Sequence, residues 1–279
     1  MENRKNRQEI ALNTLEILEQ GSYTNKKGEQ VSIKEQQTFA EENTTVYSPE
    51  TSDKLLKHEL SPLFTKPAEI NVNSKTTLDA VRDMISHGHA DVVCLNFASA
   101  KNPGGGFLGG SQAQEESIAR ATGLYPCLLK ALPYYETNRR FKSCFYTDYM
   151  IYSPAVPILK DENGSVLETP VQTGIITAPA VNAGVVRKRE PEKLDDIGPV
   201  MKRRISKVLR IALLHEHTSI VLGAWGCGVF GNDPDEVAQY FKDVIEAEYL
   251  YSFRQITFAI YAQNDRFIKP FTQAFGRQF

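Results

Sequence analysis

Five glycines and three consecutive polar residues stand closest to chemistry in this sequence. Gly104-Gly105-Gly106 is followed by Gly109-Gly110, and seven residues after the first cluster comes Gln114-Glu115-Glu116. Glycine permits a positive φ and lets backbone N–H groups reach a ligand with no side chain in the way. A strand, a glycine loop and then a helix gather free N–H groups and the positive end of a helix dipole around one point, which suits an anion. The stretch has no Gly-Lys-Ser/Thr after its glycines, so it is not a Walker loop, and it is not a clean G-x-G-x-x-G. Ser111 with Gln114 three residues on reads as a capping box. That puts Glu115 and Glu116 in or just after the first helical turn, with side chains splayed by ~100°. Such spacing argues against two carboxylates facing each other across a glycosidic bond. It lets one carboxylate enter a pocket while the other holds the loop or a neighbouring hydroxyl. Acidic residues are common in a first turn for the sake of the dipole alone. The glycines ahead of them are what raise this pair above that explanation.

A second unit of the same kind runs from Gly223 to Asn232 as GAWGCGVFGN, after an apolar run, with Asp233, Pro234 and Glu236 fitting the N-cap, N1 and N3 of a helix. Two such units side by side would hold a diphosphate between them. Tight strand-to-helix packing would explain the second set of glycines alone, but not both sets together.

The spacing of Gly104-Gly105-Gly106 and Gln114-Glu115-Glu116 resembles the signature of poly(ADP-ribose) glycohydrolases, a macrodomain family. The preceding Asn96-Phe97-Ala98-Ser99-Ala100-Lys101-Asn102-Pro103 resembles the bacterial type in particular. The likeness extends over nearly the whole chain, including an N-terminal helix ending at Gly21-x-Tyr23. It implies hydrolysis of the ribose–ribose O-glycosidic bond of poly(ADP-ribose), with ADP-ribose released. Glu116 would be the general acid/base and Glu115 would help to position the ribose being cleaved. Ser99 or Asn102 would contact that ribose; vertebrate-type members carry Asn at the position matching Ser99. Gln114 and the amides of Gly104, Gly105 and Gly106 would complete one side of the substrate site. Gly226, Cys227, Gly228 and Gly231 would bind the diphosphate on the other, and Val229 and Phe230 would wall the terminal ribose. Cys227 itself reads as a space-filler, with no histidine near it in sequence.

A first helical turn favours an ionised carboxylate, whereas an acid catalyst must hold a proton; a bound diphosphate beside it would favour protonation. No metal or cofactor is expected, since no carboxylate or Cys/His ligand set is apparent near the loops. Two other functions fit the glycine loops: an ADP-ribose-binding reader, which has no use for Gln114-Glu115-Glu116, and an enzyme removing single ADP-ribose groups from protein or nucleic acid.

Other candidates are weaker. His87 and His89 alternate in a way that could suggest metal ligation, but they flank Gly88 near a helix end, where dipole and exposure account for them. His215 and His217 close another helix, where cationic character is favourable. Arg187-Lys188-Arg189 and Lys202-Arg203-Arg204 read as solvated surface, with a contact to a longer polyanion as the alternative. Tyr261 and Phe267 are candidates to stack on adenine, though core packing suits either.

Composition sets the frame. The 279 residues have a formal net charge of -2 and 24% charged residues, an ordinary globular balance that argues against non-specific nucleic-acid binding through bulk charge. No apolar run approaches the ~20 residues of a membrane span. The first nine residues are polar, which argues against a secretory leader, and Cys94, Cys127, Cys144 and Cys227 are scattered with no C-x-x-C pair. Reduced thiols and a cytoplasmic location are therefore expected. The expected partners are poly(ADP-ribose) or ADP-ribosylated protein, with neither membrane nor sequence-specific nucleic-acid binding.

The elements that must position these residues follow from periodicity. Ala11, Leu15 and Leu18 give a helix stopped by Gly21. Residues 22–65 are polar and poorly periodic, and read as an N-terminal accessory layer, 1–65, with one short strand and one short helix. From residue 66 strands and helices alternate. Strands are expected at Asp91–Phe97, Phe141–Ile151, Gly174–Ala178, Ile220–Trp225 and Gln255–Ala262, with a hairpin at Glu162-Asn163-Gly164 joining Val156–Lys160 to Val166–Thr169. Helical stripes run through Leu78/Val81/Ile85, Met201/Ile205/Val208/Ala212, Val237/Phe241/Val244 and Phe267/Phe271/Phe275. Buried strands separated by amphipathic helices make an α/β, macrodomain-like core over 66–279 with a mixed, largely parallel sheet. In such sheets ligands bind beyond the carboxyl ends of the strands.

Overall fold

The computed structural model describes residues 3–262 and 264–276. Helix α1 (Arg4–Gln20) starts on an Asn3 cap, whose side chain accepts from the Asn6 N–H, and ends at Gly21 with φ 69°. That left-handed stop is the one its glycine announces. Then come the hairpin β1 (Ser22–Thr24) and β2 (Gln30–Ser32), α2 (Lys34–Glu42), β3 (Thr45–Tyr47) and α3 (Pro49–Leu56). Next are β4 (Glu69–Asn73), α4 (Thr77–Ser86), β5 (Val92–Phe97), α5 (Gln114–Ala121), α6 (Leu124–Lys130) and α7 (Leu132–Arg140). The long hairpin β6 (Met150–Lys160) and β7 (Val166–Ala178) leads to α8 (Ala183–Arg189), α9 (Ile197–Leu214), β8 (Ser219–Leu222), α10 (Pro234–Val244), β9 (Gln255–Ala259) and α11 (Ile268–Phe275).

Seven strands form one sheet in the order β3-β6-β7-β5-β8-β9-β4. The five from β7 to β4 run parallel, and β6 and β3 add antiparallel pairs at one side. Alternation along β5 shows why the sheet is covered on both faces. Val93 and Leu95 join the core under α9, α10 and α11. Val92 and Cys94 join the core under α4, α5, α6 and α7. The result is a three-layer α/β sandwich with all the parallel strands pointing at one edge.

The described residues of the N-terminal segment, 3–65, hold three short strands and three helices, more than the polar composition suggests. Their β3 forms the edge strand beside β6. The hairpin at 162–164 forms with Gly164 at φ 80°, but the two segments expected at 166–169 and 174–178 are one continuous strand, β7. The strand expected over 141–151 does not begin until Met150. The residues before it serve other tasks: Asp148 is buried against Arg204 at 2.8 Å and Lys207 at 2.9 Å, and the Phe145 carbonyl accepts from Arg204 at 2.8 Å. Tyr146 has φ 58°, outside the extended region of a regular strand. The capping box also fails. Helix α5 begins at Gln114 after Ala113, with no side-chain cap.

Candidate active site

Loop 1 spans residues 98–113 between β5 and α5, and loop 2 spans residues 223–233 between β8 and α10. Because β5 and β8 are parallel neighbours, both loops leave the sheet side by side at its carboxyl edge, the place where open α/β sheets bind ligands.

Loop 1 is built on left-handed glycines. Gly104 and Gly105 have φ 66° and 61°. A Cβ on Gly105 would lie 2.3 Å from Glu116 Oε1 and 3.1 Å from Glu115 Oε2. Both carboxylates therefore reach the same glycine, despite their splay on the helix. Glu116 is half-buried, and its Oε1 accepts from the Gly106 N–H at 3.0 Å. Glu115 is buried beneath it; its Oε2 accepts from the Ser99 N–H at 2.6 Å, and Oε1 from Asn96 Nδ2 at 3.4 Å. Burial pushes the Glu115 carboxyl up to about 8; the Ser99 amide opposes this and the charge of Glu116 adds to it. One carboxyl thus holds the base of the loop, and its neighbour stays partly accessible to solvent.

Gln114 ties the helix to the strand instead of capping it. Its Oε1 accepts from the Phe97 N–H at 2.8 Å, and its Nε2 donates to the Leu95 carbonyl at 2.7 Å and to Thr77 Oγ1 at 3.1 Å. Ser99 Oγ accepts from the amides of Lys101 and Asn102 at 3.3 and 3.1 Å, and Asn102 is exposed on the same turn. Tyr134 and Arg139 of α7 support this turn through the carbonyls of Ser99 and Lys101 at 3.3 and 2.9 Å. Helix α1 clamps the far end of the loop: Arg4 Nε donates to the Gly109 carbonyl at 2.7 Å and Arg7 Nε to that of Gly110 at 2.8 Å.

Loop 2 follows the expected pattern at its helix end. Asp233 accepts from the Asp235 and Glu236 amides at 2.9 and 3.4 Å, with Pro234 at the first helical position. A Cβ on Gly226 would meet Asn232 Nδ2 at 2.5 Å and Ala180 Cβ at 2.6 Å, whereas one on Gly228 meets nothing within 4 Å. Trp225 is fully buried, Val229 is 86% exposed, and Phe230 meets the ring of Tyr146 at 5.8 Å. Cys227 is buried, which raises its thiol far above the usual range; Cys94 and Cys127 are pushed up to about 12 and about 11 in the same way. Thiols so desolvated are poor nucleophiles.

Two polar groups here were not singled out from the sequence. Asn96, fully buried at the end of β5, links Glu115 to Thr177 Oγ1 at 3.2 Å, and its Oδ1 has no partner among the described residues. Asn232 closes loop 2 onto the Gly226 carbonyl at 3.1 Å and the Val181 carbonyl at 2.8 Å, and its Oδ1 is likewise unpartnered. An Asn inside a glycine motif carries no periodicity that would mark it; burial of its amide is visible only in three dimensions.

Residues 11–161 match the family model described as the microbial-type PARG catalytic domain. The chain belongs to the microbial-type PARG family. Its structure is similar to that of poly(ADP-ribose) glycohydrolase from Thermomonospora curvata, with a TM-score of 0.91 and 39% identity over 98% of this chain and 99% of that one. The same enzyme bound to the inhibitor ADP-HPD aligns with a TM-score of 0.89 and 38% identity over 98% and 99% of the two chains. Poly(ADP-ribose) glycohydrolase from Deinococcus radiodurans in complex with ADP-ribose aligns with a TM-score of 0.81 and 40% identity, over 87% of this chain and 98% of that one. No curated protein matches.

Elsewhere, Arg187, Lys188 and Arg189 are exposed, as read from the sequence, whereas the second basic cluster departs from that reading at one residue. Arg204 is buried, not solvated. His215 and His217 are not cationic caps: burial lowers His215 to about 4 and lowers His217 as well. No described helix is long and apolar enough to cross a membrane.

Proposed function

We propose that this protein hydrolyses the ribose–ribose O-glycosidic bonds of poly(ADP-ribose), releasing ADP-ribose, with Glu116 as general acid/base. The observation that carries the reading is the placement of Glu116. Its carboxyl is fixed by the Gly106 amide at the mouth of a glycine loop, while buried Glu115 braces the strand end behind it.

The diphosphate of the substrate lies between the amides of Gly104, Gly105 and Gly106 and those of loop 2 from Gly226 to Gly231, where no side chain obstructs Gly228. Its negative charge favours a proton on Glu116. Glu116 gives that proton to the oxygen of the departing ribose as the bond from this oxygen to the anomeric carbon breaks. The anomeric carbon develops oxocarbenium character, stabilised by the nearby diphosphate. Glu116, now ionised, takes a proton from water as the hydroxyl adds to the anomeric carbon, which restores the acid. Acid–base catalysis of this kind contributes ~10²–10⁴-fold. Glu115, with Asn96 and either Ser99 or Asn102, orients the cleaved ribose; Val229 and Phe230 wall it from outside, and Gln114 fixes the helix that carries both glutamates.

Residues 1–65 act as an accessory layer on the catalytic core, 66–279. The substrate is poly(ADP-ribose) or ADP-ribosylated protein, encountered in the cytoplasm, with no metal in the reaction and no role for membrane or sequence-specific nucleic-acid binding. The test is incubation with poly(ADP-ribose) and, separately, with mono-ADP-ribosylated protein, with and without a chelator, followed by product identification. Free ADP-ribose from the polymer, with or without chelator, is the expected result. Release only from the mono-modified protein, or binding without turnover, would overturn this reading.

A further inference from the structure

Beside the glycine loops lies a cleft that the reaction above does not use. We propose that this cleft is a subsite for the polymer unit on the leaving side of the scissile bond, so that the protein holds two consecutive ADP-ribose units. The proposal rests on the polymer reading of the active site and extends it along the sheet edge.

Topology places the cleft. Strand β6 runs antiparallel to β7, with Ile151 opposite Thr177, so the segment before β6 lies at the edge where the parallel strands end. Strand β3 pairs Tyr47 with Met150, which brings the start of α3 to the same edge. The segment after β7 leads to the first turns of α9 there too. These pieces enclose a cavity of about 610 Å³ lined by residues from Pro49 to Arg204, and a second of about 450 Å³ that shares Phe141, Ser143 and Lys193 with it. The glycine loops sit over β5 and β8; the cleft sits over β7, β6 and β3. Two strand spacings, ~10 Å, separate β5 from β6, a gap that one dinucleotide-like unit can bridge.

The wall between the two is shared. Tyr146 lines the larger cavity and meets Phe230 of loop 2 at 5.8 Å between ring centroids. The Gly184 amide donates to the Phe230 carbonyl at 2.8 Å, and Arg187 of the same helix donates to the Gly231 carbonyl. With the diphosphate between loops 1 and 2 and the cleaved ribose at Glu116 on the β5 side, the departing unit leaves away from β8, toward this wall.

The chemistry of the lining fits a polyanion carrying purines. The smaller cavity has Lys142, Arg189 and Lys193 against one carboxylate, Glu190, which Lys193 and Ser143 already occupy. Lys142 and Arg189 are exposed and have no ion-pair partner among the described residues. The larger cavity is balanced, with Asp53, Asp148 and Asp196 against Lys193, Arg203 and Arg204; Asp148 is consumed by Arg203, Arg204 and Lys207 and Asp53 pairs with Lys207, so the excess positive charge lies in the smaller cavity. Phe141, 41% exposed at the junction of the two cavities, offers a ring face for a base.

The test uses the full chain carrying Glu116→Gln, so that ligands stay intact, and titrates ADP-ribose and a short ADP-ribose oligomer into it with and without Lys142→Glu plus Arg189→Glu. The expected result is an oligomer Kd raised about tenfold, a shallower salt dependence of oligomer binding, and an unchanged Kd for ADP-ribose. Phe141→Ala should weaken the oligomer by a few-fold only. An oligomer that binds no tighter than ADP-ribose, or charge reversals that change both ligands equally or neither, would overturn the subsite. Failure of the activity reading shows separately, as absence of polymer cleavage by the unsubstituted protein.

Discussion

The two ends of the parallel strands carry polar clusters of opposite character. At the carboxyl edge, Asn96 Oδ1 and Asn232 Oδ1 are buried without partners among the described residues, and Glu115 is pushed up to about 8. At the other end, where α9 stops and β8 begins, the polar groups satisfy one another. His217 Nδ1 bonds the Asp91 carbonyl at 2.8 Å and its Nε2 the Tyr152 hydroxyl at 2.7 Å. His215 stacks on Tyr152 at 3.7 Å and bonds the Tyr47 hydroxyl at 2.7 Å, and Asp91 accepts from both the amide and the hydroxyl of Thr218. A buried network that closes on itself stabilises the fold. One that leaves acceptors open and a carboxyl out of its usual range marks the place where a ligand completes it. The sequence ranked these histidines below the glutamates, as cationic helix ends; the satisfaction of their partners sets them apart for a different reason, as members of a closed buried network.

The largest effect expected from this contrast is at Glu116. Glu116→Gln keeps size and hydrogen bonding but cannot move a proton, so turnover on poly(ADP-ribose) should fall by more than ~10²-fold. ADP-ribose affinity by calorimetry should change little, since the loop amides remain. A folded variant that keeps more than roughly a tenth of the turnover would mean that the open end of the sheet is not organised around this carboxyl. Next comes Gly105→Ala. The added Cβ would strike Glu116 Oε1 at 2.3 Å, at a φ of 61° that disfavours any side chain. Displacing a reacting group by such a distance should cost roughly tenfold or more in turnover, with a lower melting temperature as well. Gly228→Ala is its counterpart: nothing lies within 4 Å, so stability should hold and only ADP-ribose affinity should fall. Equal loss of stability in both would erase the distinction between a glycine needed by the fold and one needed by the ligand.

Most of the framework that holds these loops was legible because it repeats. The stripes of α4, α9, α10 and α11 and the apolar runs of β5 and β9 carry one periodic signal each, and burial in two cores enforces it. The glycine loops and the paired glutamates were legible because few other residues tolerate such backbone angles. What escaped reading depends on contacts far apart in sequence. The 141–149 segment has strand-like composition, yet Asp148 is claimed by α9, and an ion pair across more than fifty positions leaves no periodic trace. Helices α6, α7 and α8 are short and were unannounced. Gln114 looked like a cap because its spacing from Ser111 allowed it, but the edge of β5 offers two backbone partners to the same amide. Arg204 looked like surface and His217 like a cationic helix end; only the tertiary fold supplies partners that allow them to be buried.

A smaller effect, on stability, should appear at Glu115 and should depend on pH. Its folded value of about 8 lies well above the 4.5 of an unperturbed glutamate. A carboxyl raised on folding favours the folded state while protonated, so that advantage is lost as pH rises from about 4.5 to about 8. Glu115→Gln removes the ionisation. Its melting temperature relative to the unsubstituted protein should therefore climb between pH 5 and pH 8, while its turnover falls through a looser ribose pose. A melting difference that stays flat over that range would show that Glu115 is not held protonated by burial.

The smallest effect on activity belongs to the closed end of the sheet. The Asp91 carbonyl can only accept, so His217 Nδ1 carries the proton and Nε2 accepts from the Tyr152 hydroxyl. Burial keeps His217 neutral by lowering its value, and neutral imidazole is the form this chain of bonds needs. Tyr152→Phe strands the Nε2 lone pair in a buried site, at a cost of ~1–3 kcal/mol, or roughly 2–4 °C in Tm for each kcal/mol. Because the folded values of His215 and His217 are lowered, their contribution is present above about 6.5 and is lost as pH falls toward about 4, the opposite direction to Glu115. The variant should thus melt earlier at neutral pH, yet turn over poly(ADP-ribose) at the unsubstituted rate well below its melting temperature, since none of the bonds made by His215, His217, Tyr152 and Asp91 reaches the glycine loops. Thermal melts from pH 4 to pH 8, paired with initial rates at one temperature, measure both. If Tyr152→Phe lowers turnover in step with stability while the protein is still folded, the two ends are coupled through the strands, and the closed network belongs to the catalytic machinery after all.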